Sequence, residues 1–391
     1  MHNDVGYRIG IENMTKNNSI KTITVILLFT DMIFVLIIGT VLIYDTIHGN
    51  QIDINIQKNK ERYYAFPGCT NMSNGNWIVA YGNGTEHGSG DMFVEGRIST
   101  DCGQTWGSPF MIRDHVYGKT SDVEMITAPN GSVICTYRQG NNDSCGWSIS
   151  YDNGTTWKYK GLIDGGTSKI YHVTGLHIIN NTIYACAYQH ATGQNCSLWT
   201  STDNGSSWQF YSWVNSNDAN DEWDFFPIND TYWIAFFRHW SDPADPGHAW
   251  WMESHDKGLT WTNLTDRADE MGGEIHSPQF NWLNQEHNII LLSGRRYNTT
   301  ANTVSTRYWI SDNNGITWQN ATDIVLGTYG VDDTGYTGVI EHSNKAFLVY
   351  YWGKYSTSPK PNIYGIWIYD SMSYFVSQSE NESNLPSLIT P

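Results

Sequence analysis

The chain has 391 residues, 16% of them charged, with a formal net charge of -17, 18 Trp and 24 Tyr. That length suits one large domain or two ordinary ones. So acidic a surface repels phosphate backbones and excludes nucleic acid as a partner, while the aromatic load favours strands and, where exposed, sugar-like ligands.

In chain order, residues 1–21 read as a short cytoplasmic tail. Thr22 to Tyr44 is an apolar run broken only by Asp31 and a few Thr and Gly, long enough for the hydrocarbon core of a bilayer. Arg8, Lys16 and Lys21 precede it, and Asp45 and Asp53 follow. This bias predicts a transmembrane signal anchor over 22–44, the lipid bilayer as a partner, and a single-pass type II location on a cell or viral surface with residues 45–370 outside. A cleaved export signal is the alternative. All six cysteines follow the run. Cys135 and Cys145 are ten apart, as are Cys186 and Cys196. Two equivalent disulfides across neighbouring strands are expected, with Cys69 and Cys102 left to pair in the first repeat. No CxxC or Cys/His cluster supports a metal, and no cofactor is implied. Asn-x-Ser/Thr sequons, among them Asn71, Asn83, Asn130 and Asn204, mark acceptor sites for sugar.

One eight-residue pattern recurs at Ser99–Trp106, Ser150–Trp157, Ser201–Trp208, Ser254–Trp261 and Ser311–Trp318. Its form is Ser-x-Asp-x-Gly-x-Thr/Ser-Trp, with Asn313 in place of Asp in the last copy. Gly supplies the positive φ of a tight turn, and Asp accepts backbone N–H bonds inside it. Before each turn stand two β-prone runs, such as Val133–Tyr137 then Gly146–Ser150, or Trp233–Phe237 then Ala249–Ser254. A further strand begins at each turn Trp. A sixth repeat begins near Tyr336 and ends at Asp370 without a turn. Six sheets follow, and a strand over Asp53–Gln57 would complete the last and close the ring. Repeats of this length with four strands predict an all-β, six-bladed β-propeller over 45–370. Residues 371–391, rich in Ser, Asn and Pro, are expected to be a disordered tail.

The repeated turn resembles the Asp box of sialidases, and the resemblance runs from Arg62 to Asp370. It implies a propeller with five Asp-box turns behind the N-terminal helix, and a glycan or glycoconjugate as partner. Sialidases hold the substrate carboxylate with three arginines, the first in an Arg-Ile-Pro segment. The matching Ala65-Phe66-Pro67 lacks it, and the fifth-blade opening, Gly273 to Pro278, holds Glu274 and His276 but no arginine. The triad is therefore expected to be incomplete, with Arg295 or Arg296 compensating. Only one of those two can face a pocket, since neighbours on a strand point to opposite faces. The resemblance implies Asp91 as acid/base, Tyr336 as nucleophile and Glu222 as its fourth-blade carboxylate. It implies Arg238, about fifteen residues beyond Glu222, and Asp122 as binding groups, and Glu274 and His276 are expected to bind substrate beside them. The family's further Glu is replaced by Tyr350 and Tyr351. The loop Trp240–Trp250 is expected to wall the pocket. Two readings stay open: an exo-glycosidase related to sialidases, and a non-catalytic glycan-binding adhesin or receptor-like surface protein.

Overall fold

The chain divides into units Met1–Asn50 and Gln51–Pro391. A computed structural model describes residues 54–370 of the second unit, except 116–117, 141–143, 164–169, 190–194, 216–219, 240–246 and 299. Six four-stranded antiparallel sheets, the blades of a propeller, follow one another along the chain. Their inner strands are Tyr63–Asn71, Thr120–Thr127, His172–Ile179, Asn220–Pro227, Glu274–Asn284 and Asp332–Glu341. In blades 1 to 5 the chain then runs outward through three more strands. In blade 6 the outermost place is filled by Ile54–Gln57, from the beginning of the described chain, paired antiparallel with Asn362–Tyr369. The two ends are thereby bound into one sheet, which leaves no open blade edge at the seam.

Second strands lie inside each sheet and are covered on both faces, so they read as continuous apolar runs rather than alternating ones. Trp77–Gly84 is buried at every position, and Trp233, Ile234, Ala235, Phe236 and Phe237 are all fully buried. These strands run further than their apolar cores suggest. Val133–Gln139, Trp233–His239 and Ile289–Asn298 continue past the last apolar residue into polar ones, and those extensions reach the functional face.

Each repeated turn links the third and fourth strands of one blade and packs against a neighbouring blade. In all five, the first Ser Oγ accepts the turn Gly N–H at 2.8 Å. Four times the Asp carboxylate takes the N–H and hydroxyl of the Thr or Ser four residues on, as Asp152 does with Thr156 at 2.8 and 2.6 Å. At the fifth turn the polarity of one bond reverses: Asn313 Nδ2 donates to Thr317 Oγ1 at 2.7 Å. Gly205, at φ 78°, would place a Cβ 2.3 Å from Ile134 Cδ1 of the preceding blade. Turn tryptophans fill the same seams. Trp157 packs on blade 1, Trp208 on blade 2, and Trp318 on blade 4 against Phe236. Trp106 stacks on Phe347 of blade 6, across the ring closure.

Two expectations are corrected here. None of the six cysteines forms a disulfide. Cys135 pairs with Ser148 and Cys145 with Arg138, so they stand three positions out of register and point to opposite faces. Cys186 pairs with Leu198, two positions from Cys196. That puts their Cα atoms roughly 8 Å apart, beyond the ~7 Å a disulfide spans. Equal spacing of cysteines in the chain did not mean opposed positions in the sheet. The second correction concerns the membrane. The expected anchor over 22–44 and the tail 1–21 lie outside the described residues, as does the tail 371–391. Among the described residues no helix is long and apolar enough to cross a membrane. The helix Ala268–Met271, four residues long, spans about 6 Å against the ~30 Å of a bilayer core. The transmembrane helix, the lipid-bilayer partner and the type II surface location are therefore not carried forward.

Candidate active site

Every inner strand is interrupted by a β-bulge at a corresponding place in its blade, and the fifth has a second break between Trp282 and Asn284. The corresponding breaks fall between Ala65 and Gly68, Ser121 and Val123, Val173 and Gly175, Asn220 and Trp223, His276 and Gln279, and Gly335 and Gly338. A bulge re-aims the extra residue out of the sheet's alternation. The residues set at these breaks include Phe66, Asp122, Asp221, Glu222 and Tyr336. Phe66, Asp122 and Tyr336 take positive φ values of 58°, 53° and 38°, which side chains adopt only when the surrounding structure holds them there. The second strands present Arg138, Arg238 and Arg295, each opposite or beside its blade's bulge.

These side chains meet in a cavity of about 680 Å³. Tyr336 Oη donates a hydrogen bond to Glu222 Oε1. Arg238 grips both neighbouring carboxylates, with Nε 2.6 Å from Asp221 Oδ1 and Nη1 2.8 Å from Glu222 Oε1. Arg295 reaches Tyr351 Oη at 2.7 Å and Asp333 Oδ1 at 3.3 Å. Arg138 lies 3.5 Å from Asp122 and over the Tyr171 ring. Two buried polar atoms of the lining have no partner among the described residues, Glu222 Oε2 and His276 Nδ1. Among the described residues no group of His, Cys, Asp or Glu is arranged to hold a metal ion.

Charge in this cavity is balanced locally. Burial opposes the charge on Arg238, but Asp221 and Glu222 outweigh it and hold the guanidinium well above its ordinary pKa. Burial, then the Glu222 charge, pushes the Tyr336 phenol far up, so the hydroxyl keeps its proton at rest. Burial also works against ionisation of Asp122, yet His172 and Arg138 bring it below the ordinary value. Burial pushes Asp333 up to about 7, against the Tyr351 hydrogen bond.

Of the residues expected from sequence, Glu222, Arg238, His276, Arg295 and Tyr336 line the cavity. Asp122 and Glu274 stand behind it: Asp122 backs Arg138, and Glu274 Oε2 holds His276 Nε2 at 2.6 Å. Arg296 turns to the opposite face and donates to the Gly272 carbonyl at 2.7 Å. Asp91 is not among the lining residues. It is bound within its own loop by Ser89 at 2.5 Å and Thr85 at 2.9 Å, and by Arg62 at 3.2 Å. Most of the loop Trp240–Trp250 lies outside the described residues. Sequence reasoning missed Arg138, His87 and Asp333. Arg138 carried a usable signal: Tyr137-Arg138, Phe237-Arg238 and Gly294-Arg295 occupy the same end of the second strand in three blades. Phe66, next to Ala65 where the first family arginine was sought, packs its ring on Tyr336 and His87.

Residues 75–272 match the BNR repeat-like domain family. The chain belongs to that family, within the sialidase-like propellers. The match is to the repeat-like domain as a whole and finds no Asp boxes, so the label taken from the resemblance is corrected; the five turns stand as Ser-Asp-Gly-Trp turns defined by their bonding. No curated protein matches the chain. Among solved structures, a protein of unknown function from Dyadobacter fermentans superposes with a TM-score of 0.69 at 19% identity, over 82% of this chain and 99% of that one. The Hadza microbial sialidase Hz136 gives 0.63 at 15% identity, over 81% and 68%. The Trypanosoma rangeli sialidase, solved with the inhibitor DANA, gives 0.58 at 13% identity, over 87% of this chain and 64% of that one. At these identities the likeness is one of fold.

Proposed function

We propose that this propeller is a retaining exo-glycosidase that removes a terminal sugar bearing a carboxylate. The observation that carries the reading is the Tyr336–Glu222 hydrogen bond, buried in a cavity that also holds Arg138, Arg238 and Arg295. The cavity volume of about 680 Å³ lies within the range of small-ligand sites. The guanidinium groups, planar and with several donors each, suit a carboxylate and its neighbouring hydroxyls.

Tyr336 is a neutral phenol at rest, so it approaches an anionic sugar without repulsion. Glu222 takes the phenolic proton as Oη bonds to the anomeric carbon, which makes the raised phenol pKa surmountable. Arg238, bonded to the same glutamate, fixes its rotamer. A retained configuration follows from two displacements at one carbon.

A second reading has its own observation. Each of the three arginines already has a carboxylate neighbour, Asp122, Asp221 with Glu222, or Asp333, so the cavity is closer to neutral than three arginines alone would make it. A glycan binder without turnover would use such a site. The purified full chain, mixed with 4-nitrophenyl glycosides of sialic acid, hexuronic acids and neutral hexoses, decides between them. Release of nitrophenol from a carboxylated sugar, lost by about 10²-fold or more in Tyr336→Phe and Glu222→Gln, supports the enzyme. Saturable binding of the same glycosides without release supports the binder. Release from neutral hexoses only would refute the carboxylate assignment.

A further inference from the structure

The cavity lining also holds a histidine–carboxylate pair, His87 and Asp333. His87 Nδ1 lies 2.8 Å from Asp333 Oδ2. Tyr63 Oη donates to the same carboxylate oxygen, and Oδ1 takes Tyr351 at 2.9 Å and Arg295 at 3.3 Å. Both oxygens of Asp333 are thus occupied, and the carboxyl is buried. His87 is different. Its side chain is 32% exposed, its ring is held between Phe66 and Tyr355, and Nε2 has no hydrogen-bond partner among the described residues. Phe66 touches both His87 and Tyr336, which places the imidazole on the same side of the ring of blades as the nucleophile.

We propose, building on the glycosidase reading above, that His87 is the acid/base residue of this site and Asp333 the residue that positions it. In the first step the Tyr336 Oη bond to the anomeric carbon forms as the bond to the leaving oxygen breaks. The His87 Nε2 proton passes to that oxygen, and Glu222 takes the phenol proton. In the second step a water attacks the same carbon and gives a proton to Nε2, the bond to Tyr336 breaks, and the phenol recovers its proton from Glu222. Protons and bonds balance over the two steps, and no further reactant is needed.

The other candidates are less able to serve. Asp91 shares the His87 loop but does not line the cavity. Partial burial opposes its ionisation, yet hydrogen bonds from Ser89 and Thr85 bring it down to about 2, so it carries no proton at neutral pH. Of the lining carboxyls, Glu222 is engaged by Tyr336 and Arg238, and Asp332 is paired with Lys354 at 2.5 Å. His276 is also held by a carboxylate, but its free Nδ1 is sealed from solvent and ligand.

Proton supply is consistent with this role. Burial, then Arg295, pushes the isolated imidazole down to about 4, while burial pushes Asp333 up to about 7. Imidazole with carboxylic acid, and imidazolium with carboxylate, differ only in where the bridging proton sits. The pair therefore delivers the Nε2 proton up to about pH 7 and refills it from the bridge. The further charges acting on His87 are Asp122, which favours its protonation, and Lys119 and Arg138, which oppose it. The phenols packed around the pair are Tyr63, Tyr351 and Tyr355.

The test compares two substrates on the full chain: the 4-nitrophenyl ketoside of sialic acid, whose phenolate leaves without a proton, and sialyllactose, whose alkoxide does not. His87→Ala and His87→Gln are expected to lose about 10²–10⁴-fold in kcat on sialyllactose and less than tenfold on the nitrophenyl ketoside. On sialyllactose the wild-type rate should fall above about pH 7, and Asp333→Asn should displace that limb with little change in KM. Tyr336→Phe should abolish both activities. Equal losses on the two substrates in both His87 variants would overturn the assignment, as would the selective loss appearing in Asp91→Asn or His276→Gln instead. Wild-type chain that releases neither aglycone, and no nitrophenol from hexuronic acid glycosides, would refute the glycosidase reading itself and the His87 role with it. Activity lost only with Tyr336→Phe refutes the His87 role alone.

Discussion

Replacing Arg238 by Met tests how the cavity is held together. The guanidinium bonds Asp221 through Nε at 2.6 Å and Glu222 through Nη1 at 2.8 Å. Asp221 is fully buried and the Glu222 side chain is 2% exposed. Met keeps most of the stem's packing volume, so the substitution removes charge rather than opening a large hole. Two carboxylates then lie in the interior without their cation. Breaking a buried pair in this way costs about 3–5 kcal/mol, even though the intact pair contributes little net stability. Unfolding entropy of about 2.1 cal/mol/K per residue gives about 0.7 kcal/mol/K for roughly 320 residues, so the midpoint should drop by about 4–7 °C. Calorimetric scans at one fixed rate measure this, since large domains often unfold irreversibly. Adding Asp221→Asn and Glu222→Gln to Arg238→Met should restore more than half of the loss, because the stranded charges are gone. A single variant that melts within about 1.5 °C of wild type would refute the reasoning, as would a triple variant no more stable than the single.

Other outcomes follow from the same geometry. Gly205→Ala sets a Cβ 2.3 Å from Ile134 Cδ1 at a φ of 78°, and should cost about 1–3 kcal/mol in denaturant melts; Ala at exposed Gly75, where nothing crowds the Cβ, should cost less. With no disulfide among the six cysteines, the melting midpoint should be the same with and without reductant, and a thiol reagent should label the half-buried Cys102 ahead of the buried five. A reductant-sensitive midpoint would restore the disulfides. The turn aspartates titrate below the ordinary carboxylate value, Asp101 and Asp152 through hydrogen bonds from Thr105 and Thr156. Their folded pKa is depressed, so their contribution is present above the ordinary value of about 4 and lost as the pH falls through the depressed one. Asp152→Asn should make the midpoint less sensitive to acid between pH 5 and 2, and Asn313→Asp should make it more so; unchanged slopes would show that the turns do not carry that dependence.

What could be read in the chain was what its neighbours in sequence decide. The Ser-Asp-Gly-Trp turn closes its bonds within eight residues, so its presence, the alternation of strands and turns, and the number of blades were legible without a structure. Strand ends were less legible. Arg138 looked like the polar residue beyond a strand, yet the strand continues through it, because the ends of the second strands emerge into a polar cavity rather than solvent. The site itself is a tertiary product. Tyr336 and Glu222 are 114 residues apart, and His87 and Asp333 are separated by 246. No local pattern connects them; bulges at corresponding places in the six blades of a closed ring do. The same ring decides which residue of a loop faces inward, and so turns His87 to the cavity while Asp91, four positions on, is tied to Ser89, Thr85 and Arg62. Register decides the cysteines in the same way. Equal spacing along two strands is a property of sequence, but whether two thiols meet depends on pairing, and the sheets pair them two and three residues apart.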